Sequence, residues 1–99
     1  MILIHNSLPA PLFAPGKLTM TCGIAERVQQ GVLNPLPYLS RHLAGDWGEV
    51  CEYDYKLNQA ALNTGDRLHS VYQVTPDLTI WIITESDRSV TTVLLPSEY

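Results

Sequence analysis

The chain has 99 residues, of which 45% are apolar and 16% charged, enough for one small hydrophobic core and a single domain. A composition this apolar excludes an intrinsically disordered chain. The formal net charge of −4 disfavours a protein that binds nucleic acid through the phosphate backbone, because such proteins present a basic face.

Residues 1–16 are predicted to form a proline-rich arm, and residues 17–99 a single domain. Pro9, Pro11 and Pro15 exclude a helix in the arm. Its apolar residues allow the arm to pack on the domain or on a second copy of the chain, so a homo-oligomer is left open; these residues are Ile2, Leu3, Ile4, Leu8, Leu12 and Phe13.

The sequence also favours a cytoplasmic protein with no membrane partner. No basic segment of a signal peptide precedes the first apolar residues. No stretch approaches the roughly 20 apolar residues of a membrane span. Cys22 and Cys51 lie far apart, as is typical of free thiols in a reducing compartment.

The first half of the domain is predicted to contain a strand over residues 17–21 and a helix over 24–30. A second helix opens at Asn34-Pro35, where asparagine suits the cap and proline the first helical position. Its apolar stripe consists of Leu36, Leu39 and Leu43. Gly45 ends it.

A third helix is expected to begin at Trp47. Asp46 is a candidate N-cap, and Glu49, three residues later, completes a capping-box pattern. Asn63-Thr64-Gly65 is a stop signal. The expected buried face of this helix comprises Val50, Tyr53, Leu57, Ala60 and Ala61.

The last third of the chain predicts three strands, over residues 67–74, 78–84 and 90–95. The middle run is apolar on both faces, so Trp81 and Ile82 are expected on opposite faces of a central strand, with Ile82 buried. Pro96 is expected to end the last strand at a sheet edge. The predicted fold class is α+β: a three-stranded antiparallel meander at the C-terminus, packed against two or three short helices, with room for an extra N-terminal strand.

Polar residues concentrate in residues 41–48 and 84–89. If the two stretches meet, they place a histidine, three carboxylates and an arginine on one rim: His42, Asp46, Glu85, Asp87 and Arg88. Such a group can perform acid–base chemistry or bind a metal. No paired-ligand spacing is present, however, so no metal or cofactor is predicted.

Each of these residues also has an ordinary structural role. Asp46 can cap a helix, Trp47 can anchor a core or an interface, and His42 can favour a helix C-terminus. Arg88 is expected to form an ion pair with a carboxylate, the candidates being Asp46, Asp54 and Glu85.

Residues 38–99 resemble a family of small bacterial proteins carried on plasmids and other mobile elements. The resemblance lies in RHLAGDWG (residues 41–48), in Asp54, Asn58 and Leu62, in RLHSVY (residues 67–72) and in the tail IWIITESDRSVTTVLLPSEY (residues 80–99). It implies no particular reaction. Some members carry a restriction–modification label, but 99 residues have no room for a methyltransferase domain.

Two functions follow as hypotheses. The first is an accessory protein that binds a partner protein, such as a host defence or restriction component. Its acidic charge suits a basic partner surface, and its candidate binding residues are Trp47, Tyr55, Glu85 and Arg88. The alternative is a small hydrolase that uses His42, Asp46, Asp87 and Arg88, which requires these side chains to converge in a concave pocket.

Overall fold

The computed structural model describes residues 2–3 and 11–99, and the following statements concern these residues. The order of elements is β1 (Ile2–Leu3), β2 (Lys17–Met20), α1 (Cys22–Gln29), α2 (Leu36–Leu43), α3 (Glu52–Thr64), β3 (Leu68–Thr75), β4 (Leu78–Thr84), β5 (Val90–Leu94) and a short 3-10 helix (Pro96–Glu98). The predicted α+β class is confirmed. Ile4 and Leu8 of the arm lie outside the described residues.

The strands form one mixed sheet in the order β1-β2-β5-β4-β3. β3, β4 and β5 are antiparallel neighbours, but β2 pairs with β5 in parallel. The prediction of a three-stranded antiparallel meander is therefore wrong for the sheet as a whole. The expected edge position of the last strand is also wrong, because β2 pairs with the outer side of β5. Strand β5 ends at Leu94, before Pro96.

The core lies on one face of the sheet. Ile82 is fully buried there, directly opposite Val93 of β5. Helices α1 and α2 contribute Ile24 and Leu39 to the same apolar cluster. Trp81 alternates to the opposite face and is half-buried. The predicted placement of Trp81 and Ile82 is confirmed.

The predicted apolar stripe of α2 is also confirmed, since Leu39 and Leu43 are buried. Helix α1 begins at Cys22, earlier than predicted, because its N-terminus is stabilised from the other end of the chain. The Gly23 amide donates a hydrogen bond of 2.9 Å to the Glu98 carboxylate, which is the favourable position for an anion at a helix N-terminus. Cys22 and Cys51 are free and exposed.

Helix α3 begins at Glu52, five residues later than predicted. The segment before it instead runs along β3: the Val71 amide donates to the Trp47 carbonyl (3.0 Å), and the Glu49 amide donates to the Val71 carbonyl (2.7 Å). Gly48 makes this approach possible, with φ at +74° and Val71 O only 2.0 Å from where a Cβ would stand.

The predicted buried face of α3 is largely wrong. Of its five residues only Ala61 is buried, and Asn58 is the other buried residue of the helix. Asn58 acts as a strand partner: its amide nitrogen donates to the His69 carbonyl (2.9 Å), and its side-chain oxygen accepts from the His69 amide (3.1 Å). The outer edge of β3 is therefore closed by α3 and the segment before it, which prevents edge-to-edge pairing.

We expect Ile82→Ala to lower the free energy of unfolding by about 2–5 kcal/mol, because it opens a cavity in the core. The conservative variant Ile82→Val should cost about 0.5–1.5 kcal/mol. Denaturant titration of the two variants measures both values, and equal losses would contradict a tightly packed site.

We expect Asn58→Leu to cost about 1–3 kcal/mol, since it leaves the main-chain groups of His69 without partners. Amide hydrogen exchange should show faster exchange at His69, while the exposed control Asn63→Leu should leave that amide protected. An unchanged exchange rate at His69 in Asn58→Leu would show that Asn58 does not close this edge.

Candidate functional site

His42, the first residue of the predicted polar rim, is fully buried. Its ring bridges two strands, with Nδ1 2.6 Å from the Ser70 hydroxyl and Nε2 2.9 Å from the Thr84 hydroxyl. Thr84 in turn bonds to the Thr91 hydroxyl (2.7 Å), and Thr91 donates to the Pro15 carbonyl (2.8 Å). We call these five residues the His42 network.

Burial and, to a smaller extent, the nearby His69 lower the pKa of His42 to about 3. The imidazole is therefore neutral at physiological pH, with one nitrogen donating and the other accepting. Although His42 and Ser70 contact each other as a base and a nucleophile would, Ser70 is also fully buried. Since a substrate cannot reach either group, the His42 network is structural.

Asp46 does not cap a helix. Its carboxylate accepts hydrogen bonds from Arg41 at 2.7 and 3.3 Å and from the Gly48 amide at 3.2 Å. The Arg41 guanidinium holds the pKa of the Asp46 carboxyl below its usual value. Asp46 therefore stabilises the turn between α2 and the segment beside β3.

Within residues 2–3 and 11–99 Arg88 forms no ion pair with a helix carboxylate, so that expectation is wrong. It donates instead to main-chain carbonyls: 2.7 Å to Asp66, 2.9 Å to Ala61 and 3.2 Å to Glu85. The carbonyl of Ala61 lies near the negative end of α3, where a cation is favoured. Arg88 thus ties the last hairpin to α3 through the helix dipole rather than through a side-chain charge.

The other predicted site residues, Asp87, Glu85, Trp47 and Tyr55, differ in burial and in hydrogen bonding. Asp87 accepts from the Ser89 amide within the hairpin turn (3.0 Å), and hydrogen bonds from Ser89 lower its pKa. Glu85 is exposed. Trp47 is buried, and its indole N–H donates to Gln59 (2.9 Å). Of the two roles open to Trp47, a core or an interface anchor, the structure shows the core position, whereas Tyr55, another candidate binding residue, is exposed.

One pocket in the described part of the chain is formed by other residues. It has a volume of about 220 Å³ and is lined by Val50, Asp54, Leu57, Asn58, Arg67, His69 and Val71. Because it lies between α3 and β3, we call it the α3–β3 pocket. Asp54 and Asn58 stand one helical turn apart, and this spacing is the sequence signal that could have indicated the pocket.

His69 contributes an uncharged ring to the α3–β3 pocket. Burial lowers its pKa, as does Arg67, while Asp54 acts in the opposite direction. Its Nε2 atom is buried without a hydrogen-bond partner, and the ring packs edge-on against Trp81 with centroids 4.5 Å apart.

Two further structural findings concern metal binding and membrane spans. Within residues 2–3 and 11–99, no three His, Cys, Asp or Glu side chains are grouped to hold a metal ion. No helix over the same ranges has the length and apolar character needed to cross a membrane.

Comparison with protein-family models, curated proteins and solved structures found no match. The resemblance of residues 38–99 to plasmid-carried proteins therefore stays a prediction.

We expect the protein to lose stability as the pH falls below 6.5. Between pH 6.5 and about 3 the unfolded chain protonates His42 and the folded protein does not. The free energy of unfolding should therefore fall by up to about 1.4 kcal/mol per pH unit over this window. Denaturation at pH 7, 6 and 5 measures the slope.

Nitrogen-detected NMR of the histidine rings is the direct check on this prediction. The lowered pKa of His69 acts in the same direction, and a His69→Gln variant separates the two contributions. A His42 ring that titrates near pH 6.5 in the folded protein would contradict the prediction.

Proposed function

We propose that this chain is a cytoplasmic accessory protein of a bacterial plasmid or mobile element that binds a partner protein through the outer face of α3. The observation that carries the proposal is the exposure of three large apolar side chains on one short helix. Tyr53 is 71% exposed, Leu57 51% and Tyr55 47%. Sequence reasoning assigned Tyr53 and Leu57 to the core, so the structure leaves them without that role.

Single exposed apolar residues are normal on a protein surface. Here, however, Tyr53 and Leu57 stand one helical turn apart on the same side of α3, and Leu57 also lines the α3–β3 pocket. Exposed tyrosine side chains are enriched at interface centres. A helix face that only contacts water would carry polar side chains, so the exposed apolar residues of α3 support a role in binding a protein.

The charge of the chain supports a basic partner surface. The net charge is −4, and Glu52 and Asp54 open α3 with acidic side chains. Opposite charge on the partner would speed encounter and orient it. A host defence or restriction component that binds DNA has such a basic surface, and it is the partner class that we propose.

The hydrolase alternative has weaker support. It needs His42, Asp46, Asp87 and Arg88 to converge in an open pocket. His42 is buried in its network, while the other three are bonded to Arg41, to Ser89 and to main-chain carbonyls respectively. None of the four lines the α3–β3 pocket.

We expect the double variant Tyr53→Ser/Leu57→Ser to bind the partner at least tenfold more weakly, a loss of about 1.4 kcal/mol. Affinity purification from the native host, followed by mass spectrometry, identifies the candidate. Calorimetry with the two purified proteins then measures the affinity. The fold should be preserved because both side chains are exposed.

Val32→Ser is the matched control, because Val32 is 57% exposed but lies in the loop after α1. This variant should bind as the wild type does. Equal affinity of all three proteins for the purified partner would show that α3 is not the binding surface.

A further inference from the structure

We propose that the α3–β3 pocket binds a small zwitterion, a free α-amino acid with a small apolar side chain such as valine. Amino-acid binding at this site does not require the partner protein proposed above. Two features of the pocket support it: two opposite charges that are not paired with each other, and apolar walls around a small volume.

The two opposite charges of the pocket are both available to a ligand. Asp54 takes part in no hydrogen bond or ion pair with the part of the chain that the structure describes. Arg67 donates to the neutral hydroxyl of Tyr99 (2.6 Å) and lies 5.4 Å from the centre of that ring. Because a guanidinium carries several N–H donors, Arg67 retains donors for a carboxylate.

The two charges act on the same place without neutralising each other. Burial is the largest cause that lowers the pKa of His69, Arg67 lowers it further, and Asp54 raises it. Both charges are thus close enough to influence one imidazole ring of the pocket, yet Asp54 and Arg67 form no ion pair with each other. A ligand in the pocket therefore meets a carboxylate and a guanidinium.

This lining favours a zwitterion over an ion of either sign. A cation would be attracted by Asp54 and repelled by Arg67, and the reverse would hold for an anion. An α-amino acid offers its ammonium group to Asp54 and its carboxylate to Arg67, so that both contacts are charge-assisted hydrogen bonds. His69, with its lowered pKa, adds no further charge at neutral pH.

The walls and the size of the pocket favour a small apolar side chain on that amino acid. Val50, Leu57 and Val71 line the pocket with apolar surface, and the polar atoms of Asn58 are already bonded to the main chain of His69. The volume is about 220 Å³, below the roughly 300–1,000 Å³ of pockets for drug-sized ligands. A cavity of about 150 Å³ accommodates benzene, a molecule slightly smaller than valine.

The first test is a titration of the whole chain with three related compounds, followed by amide NMR at pH 7. L-valine should shift the amide signals of Asp54, Leu57 and His69, with a dissociation constant on the order of millimolar. Valinamide lacks the carboxylate and N-acetylvaline lacks the ammonium group. Each should bind at least about fivefold more weakly than L-valine.

The second test assigns each charge of the ligand to one residue. Asp54→Asn should weaken L-valine binding at least about fivefold but should bind N-acetylvaline no more weakly than the wild type does. Arg67→Gln should show the same pattern with valinamide. Asp77→Asn, which removes a charge from the turn between β3 and β4, and Tyr99→Phe, which keeps the guanidinium, should leave L-valine binding within about twofold.

Equal affinity for the three compounds would overturn the proposal, because the opposite charges would then select nothing. The same conclusion would follow from equal losses in Asp54→Asn and Asp77→Asn. It would also follow from an absence of shifts at Asp54, Leu57 and His69.

Tyr53→Ser separates this site from the proposed docking face, because Tyr53 does not line the pocket. This variant should bind L-valine as the wild type does. If L-valine binds as expected but Tyr53→Ser/Leu57→Ser keeps full partner affinity, the amino-acid site stands and the docking face is wrong. If the wild type does not bind L-valine but the double variant loses the partner, the docking face stands and the amino-acid site is wrong.

Discussion

The His42 network is the constraint on which the remaining packing depends. One neutral imidazole on α2 bonds to hydroxyls on β3 and β4, and the chain of bonds continues through Thr91 of β5 to Pro15. A buried polar group without partners costs several kcal/mol, so the network fixes the position of α2 over three strands at once. It also binds the described part of the arm, because Pro15 accepts its last hydrogen bond.

The closed edge of β3 explains why α3 presents apolar side chains to solvent. The helix is attached to the sheet through the amide of Asn58 and through main-chain groups of the segment before it. Ala61 adds one buried contact beside Trp47 and Leu68. Because these interactions hold the helix, its larger apolar residues are not required for packing and lie on the outer face instead.

Elements governed by local pattern could be predicted from the sequence. The stripe of α2 and the alternation around Ile82 gave correct burial, because burial there follows directly from periodicity, and β4 has the predicted bounds. The parallel pairing of β2 with β5 has no local signal, since its partners lie more than 70 residues apart. The capping pattern of Asp46 and Glu49 does not form a cap, because both carboxylates have other partners. Arg41 binds Asp46, and the main-chain amide of Gln73 donates to Glu49.

Hydrogen bonds that stabilise the fold also explain why the predicted site residues do not form the candidate site. His42, Asp46 and Arg88 have the chemistry of a functional group, but each satisfies a structural requirement: a buried network, a turn and a helix end. A side chain committed to such partners is held in place and contributes little to binding another molecule. Tyr53 and Leu57 on α3 are among the described residues that have no such structural role. Our proposal therefore places binding on side chains that the fold does not use, at the outer face of α3.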